Sequence, residues 1–158
     1  MSIEILRERL RRAHADFLAA VEGLDRAVLE GAPAVGTWSA RDVAAHVADW
    51  NEEILLAAEH LLGAPKPAHH PIVEIDDFNA ARAARYRAEP WSAARARLDR
   101  SVERAIELSD RFADRLEEPT EHPWNNRGTI RDLFHGVCGH EEEHTEELRA
   151  WRAGRGPA

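Results

Sequence analysis

At 158 residues and 17.8 kDa the chain can bury one hydrophobic core unaided, and its single cysteine, Cys138, excludes an intramolecular disulfide and suits a reducing cytoplasm. A formal charge of −8 and a pI near 5.6 argue against a broad nucleic-acid footprint. No apolar run reaches the length of a membrane span, and charges from Glu4 onward interrupt the stretch a signal peptide needs. The expectation is one cytoplasmic domain over residues 1–158 with a small-molecule partner, no nucleic acid and no membrane.

Apolar residues at Ile3, Leu6, Leu10, Ala13, Phe17, Val21 and Leu24 recur every three or four positions, which predicts a first long amphipathic helix. After "EGAPAVGTW", Ser39 and Asp42 form a relative of the capping box and open a second helix. Its stripe is Val43, His46, Val47, Trp50, Ile54, Ala57, Ala58 and Leu61. "GAPKPAHHP" ends it through glycine and prolines. Residues 63–90 read as a long connection, with a short helix through "FNAARAARYRA" capped by Asp76 and Asp77. A third long helix carries Leu98, Val102, Ala105, Ser109, Phe112 and Leu116. Thr129 and Asp132 repeat the cap and open a fourth, with Leu133, Val137, His140, His144, Leu148 and Trp151 in register; residues 153–158 read as a frayed tail. No segment shows strand alternation with hairpin turns. The expected fold is an all-α four-helix bundle whose long crossover joins the second and third main helices.

"HEEEH", from His140 to His144, matches a zinc-binding helical pattern, and both histidines occupy positions where a core residue is expected. His46 is the third imidazole on an inward stripe. Three nitrogens would leave an open coordination position, as in catalytic zinc sites; nickel or iron(II) also tolerates imidazole. The bland alternative is that these are core histidines satisfied by carbonyls, carboxylates and waters. A metalloprotease is disfavoured, because no histidine follows His144 to supply the usual downstream ligand. Glu143, close to the histidine face, and Asp49, one turn beyond His46, are the candidate proton carriers, Asp49 having a surface role as its alternative. Glu141 and Glu142 are assigned to the solvated face. His14, His60, His69, His70, His122 and His135 are assigned to the surface, and Cys138 to packing. Trp50 and Trp124 are candidates for the mouth of a substrate pocket.

"TWSARDVAAHVADW" and the later "PWNNRGTIRDLFHGVCGHEEEHTEELRAW" resemble the DinB-like superfamily of four-helix bundles, most closely its ClbS/DfsB branch, over nearly the whole chain. The block W-S-x-x-D-x-x-x-H-x-x-x-W with a late histidine pair seldom occurs elsewhere. The resemblance implies a divalent metal held by His46, His140 and His144, and in some relatives a low-molecular-weight thiol cofactor such as mycothiol or bacillithiol. It implies a small-molecule hydrolase or thiol-dependent transferase in detoxification or self-resistance, and a homodimer. The alternatives are a metal-free ClbS-like binding protein and a dimerisation module without catalysis. Relatives often place an aromatic after the first late histidine; here Glu141 stands there, so that pocket contact does not carry over.

Overall fold

The computed structural model describes residues 2–155. The element order is α1 (Ile3–Val21), α2 (Arg26–Gly31), β1 (Pro33–Val35), β2 (Trp38–Ser39), α3 (Ala40–Leu61), α4 (Ile75–Ala88), α5 (Trp91–Asp110), β3 (Pro119–Glu121), β4 (Arg127–Thr129) and α6 (Ile130–Arg155). The four long helices α1, α3, α5 and α6 form the bundle, with α3 packed on α5 and α6, and α1 on the same two from the other side.

Cross-helix pairs give the directions. Asn51 to Ser101 and Glu59 to Arg104 run parallel between α3 and α5, whereas Arg7 to Asp110 and His14 to Asp99 run antiparallel between α1 and α5. Arg9 to Glu142 and Asp16 to Arg149 set α1 parallel to α6. Two consecutive bundle helices can be parallel only if the chain returns between them. Helix α4 makes that return: its Arg82 and Tyr86 meet Glu53 and Asp49, antiparallel to α3. This is the crossover expected between the second and third main helices.

Local signals place the helix starts. At α3, the Ser39 hydroxyl accepts from the Asp42 amide and the Asp42 carboxylate accepts from the Ser39 amide, a full capping box worth about 1 kcal/mol. Thr129 and Asp132 repeat the same reciprocal pair at α6. Helix α3 is central, sixteen of its 22 residues being buried, and its alanines at 44, 45, 48, 57 and 58 let neighbours approach closely. One apolar cluster holds Leu6, Leu10, Ile54, Phe112, Leu133 and Phe134, and another holds Phe17, Val43, Tyr86, Leu98 and Leu148. Each fully buried side chain of this size contributes about 1.5–3 kcal/mol.

The structure corrects several expectations. Two antiparallel ribbons, β1–β2 and β3–β4, occupy the supposed breakers. Their strands are two or three residues long, too short to show alternation. Their turns use Gly36 at φ 57° and Asn125 at φ 58°, the left-handed region that glycine and asparagine tolerate. Helix α5 stops at Asp110, although Phe112 and Leu116 remain buried in the turns that follow. Helix α6 runs through Arg155, so residues 153–155 are helical and 156–158 lie outside the described residues. Glu141, assigned to the solvated face, is 0 % exposed, because α6 is covered by α1 on one side and α3 on the other. His122 is likewise buried, and the His70 side chain is only 4 % exposed.

Candidate metal centre

His46 projects from the second turn of α3 towards α6, where His140 and His144 stand one turn apart. The Nε2 atoms of His46 and His140 are 3.1 Å apart and those of His140 and His144 3.0 Å. The rings lie 4.7 to 5.3 Å apart. Trp38 packs on the His46 ring at 4.7 Å, and Tyr86 meets its edge side at 6.2 Å. All three predicted imidazoles therefore converge.

Hydrogen bonding among neutral rings leaves this cluster unsatisfied. Nδ1 of His144 donates to Glu147 Oε2 at 2.6 Å, so its Nε2 presents a lone pair. His140 Nε2 can donate to that lone pair, which leaves its contact with His46 unmatched, or accept from His46, which sets two lone pairs face to face. Nδ1 of His46 is buried without a partner. A cation at the centre accepts all three lone pairs at once. Nitrogens about 2.0–2.1 Å from a tetrahedral ion stand about 3.3 Å from one another, close to the spacing here. The residues present fit a divalent metal.

Electrostatics favours the neutral, metal-ready form. Burial, with the neighbouring His144 adding to it and Asp49 partly opposing, lowers the His46 pKa to about 4. Burial and the two other imidazoles hold His140 well below the usual histidine range.

Beside the cluster opens a pocket of about 440 Å³, lined by His46, His140, Trp50, Ile54, Ile75, Asn79, Trp124 and Glu143. Trp50 donates from Nε1 to Asn79 Oδ1 at 2.9 Å, and the Phe78 ring packs tilted against the indole at 4.9 Å. Trp124 comes from the β3–β4 turn and lies against Gly136, where a Cβ would sit 2.7 Å from the indole. Trp50 and Trp124 both line this pocket, with Ile75 and Asn79 of α4. The sequence reading missed this wall because α4 has a weak apolar face, with only Tyr86 buried.

Glu143 is exposed on the pocket rim, beside His140 and His144 in the chain. Asp49 lies elsewhere. Its carboxylate, 2 % exposed, accepts from Tyr86 Oη at 2.9 Å and meets Arg82, Arg85 and Arg97. Desolvation and the Asp49 charge push the Tyr86 phenol up, so it stays a donor. Cys138 is buried and burial raises its thiol to about 11, as suits a packing residue. Among the described residues no helix is long and apolar enough to cross a membrane.

The comparisons with known proteins follow the same lines. The chain superposes on the mycothiol-dependent maleylpyruvate isomerase with a TM-score of 0.72 at 16 % identity. A histidine-to-alanine variant of that enzyme gives 0.72 at 15 %. In both cases 94 % of this chain is covered but only 61 % of the isomerase, and at such identity the likeness is one of fold. No curated protein sequence matches the chain. The family model of the DinB superfamily matches residues 9–148, and the chain belongs to that superfamily.

Proposed function

We propose that the protein binds one divalent metal ion, zinc, nickel or iron(II), at His46, His140 and His144, and acts on a small, largely apolar molecule in the adjoining pocket. The reaction class is hydrolysis or transfer dependent on a low-molecular-weight thiol, in detoxification or self-resistance. The observation that carries this reading is the meeting of three Nε2 atoms whose hydrogen bonds cannot all be satisfied, at the wall of a pocket. The mycothiol dependence of the isomerase that shares the fold supports the thiol branch.

When bound, an ion held by His46, His140 and His144 would supply Lewis acidity beside the pocket. The chain does the rest. Glu147 fixes the His144 tautomer, and Trp50, Trp124 and Ile54 hold the apolar body of the substrate away from water. Glu143, on the rim, would accept the proton of the attacking water or thiol at its carboxylate and return it to the leaving group. Asp49 is fully engaged with guanidinium groups, so its role is positioning: it anchors Tyr86, whose ring abuts His46.

Elemental analysis of natively purified, tag-free protein and of His140→Ala tests the metal. Near-equimolar metal lost in the variant is expected. Turnover of electrophilic probes with and without mycothiol or bacillithiol then separates transfer from hydrolysis. No metal after reloading would favour the second reading, a metal-free ClbS-like binder, which the apolar walls Trp50, Ile54, Ile75 and Trp124 support. Homodimer formation, implied by the family resemblance, belongs to the same proposal and is read by sedimentation.

A further inference from the structure

A second cluster lies about 10 Å farther along α3, seven residues beyond His46. Glu53 Oε2 is 2.7 Å from His69 Nε2 and 2.8 Å from His70 Nε2. Its other oxygen accepts from Arg82 at 3.2 Å. Glu53 and His70 are buried, with 8 % and 4 % of their side chains exposed, whereas His69 is 50 % exposed.

Side chains of consecutive residues in extended backbone point to opposite sides. Here both imidazoles turn to one carboxylate oxygen, in a turn closed by the His70 amide on Pro67 O at 3.1 Å. The carboxylate is divided between two tasks: Oε1 is anchored by a guanidinium, and Oε2 faces two nitrogens. Ligating carboxylates are oriented by just such an outer contact. Two imidazoles and one carboxylate are a zinc-type donor set. An ion needs these atoms about 3.3 Å apart, so Oε2 has to withdraw by about half an ångström. The half-exposed His69 keeps the cluster within reach of solvent.

We propose that Glu53, His69 and His70 form a second divalent-metal site, distinct from the three-histidine centre, which clasps the crossover onto α3. The segment it fixes leads directly into the pocket wall. Ile72 donates its amide to Pro123 O at 2.6 Å, next to Trp124, and Ile75 and Asn79 line the pocket. Occupancy therefore sets the position of α4 over the substrate.

The test uses full-length protein with cobalt(II) and zinc as probes. His140→Ala/His144→Ala removes the first site; one equivalent of cobalt(II), with ligand-field absorption, should remain. Adding Glu53→Gln or His69→Ala should weaken that binding at least tenfold. Zinc should also slow amide exchange over residues 64–80 in the double variant. Should the double variant fail to fold, His69→Ala alone in the otherwise unchanged chain should weaken one of two cobalt(II) equivalents at least tenfold. Absence of a tight equivalent in the double variant, or binding unchanged by Glu53→Gln and His69→Ala, overturns the proposal and leaves a hydrogen-bonded clasp. Because the first site is absent from the double variant, failure here does not bear on the three-histidine centre.

Discussion

Glu147 Oε2 stands 2.6 Å from Nδ1 of His144, one turn along the same face of α6. A carboxylate only accepts, so the ring donates from Nδ1 and turns a bare Nε2 towards His140. Glu147 thereby fixes the tautomer that a metal ligand requires, without touching the metal position itself.

Replacing Glu147 with alanine should weaken zinc binding by about 10–100-fold, the usual cost of losing such an outer partner. The carboxylate side chain is 43 % exposed, so helical content should hold. Competition against a chelating dye measures the affinity and circular dichroism checks the fold. Unchanged affinity would mean that His144 is oriented by packing alone.

Acid should remove the metal later than free imidazole chemistry suggests. With His46 lowered to about 4 by burial and His140 also lowered, protons compete poorly for either ligand near the ordinary histidine pKa of about 6.5. Zinc should stay bound at about pH 5.5 and leave as the pH approaches about 4. Metal-free protein should lose stability over the same window. The unfolded chain binds protons below about pH 6.5 that the folded His46 imidazole refuses until about pH 4, and burial holds His140 below the usual histidine range in the same direction. Zinc retention after dialysis across this range, with chemical denaturation of the apo form, checks both. Release centred at 6.5 would show that the imidazoles are hydrated in solution.

The bundle and its three histidines were legible because they rest on strong local rules. A period of 3.6 marks the long helices, and S/T-x-x-D marks the starts of α3 and α6. An imidazole on an apolar stripe stands out. What escaped depends on contacts between distant segments. His69 and His70 sit among prolines and glycine and read as loop surface, and only the return of the chain along α3 brings them to Glu53. Glu141 belongs to a run of three glutamates, a pattern that reads as solvated, yet its rotation about α6 carries it under α1. Asp49 acquires its guanidinium partners from α4 and α5, neither of which announces them locally.

Gly136 offers a way to close the pocket without touching a ligand. A methyl group there would meet the Trp124 indole at 2.7 Å and Ile54 Cδ1 at 3.1 Å, so the indole must shift. Gly136→Ala should reduce binding of apolar probes by about tenfold or more, the scale of a 1–3 kcal/mol overpacking strain. Metal stoichiometry should be unchanged. Tryptophan fluorescence titration with the probe, beside metal analysis, separates the two. Full retention of probe binding would place the ligand away from Trp124.

Glu141 should be a stability cost at neutral pH. Both carboxylate oxygens are buried without a hydrogen-bond partner, and Nδ1 of His14 is 3.6 Å away. Burial raises its pKa despite opposing contributions from His14 and Asn51. A carboxyl group raised on folding stabilises the protein below its unfolded pKa and loses that contribution as pH rises through the folded value. Gln at this position keeps the volume and removes the charge. Glu141→Gln should therefore match the parent protein near pH 4 and exceed it increasingly towards pH 8, by about 1 kcal/mol or more, or about 2–4 °C in Tm. The acid destabilisation from His46 and His140 is common to both proteins and cancels in the difference. Parallel thermal melts from pH 4 to 8 measure it. A variant less stable throughout would mean that Glu141 is ionised and paired with a protonated His14, so that the buried charge holds α1 to α6.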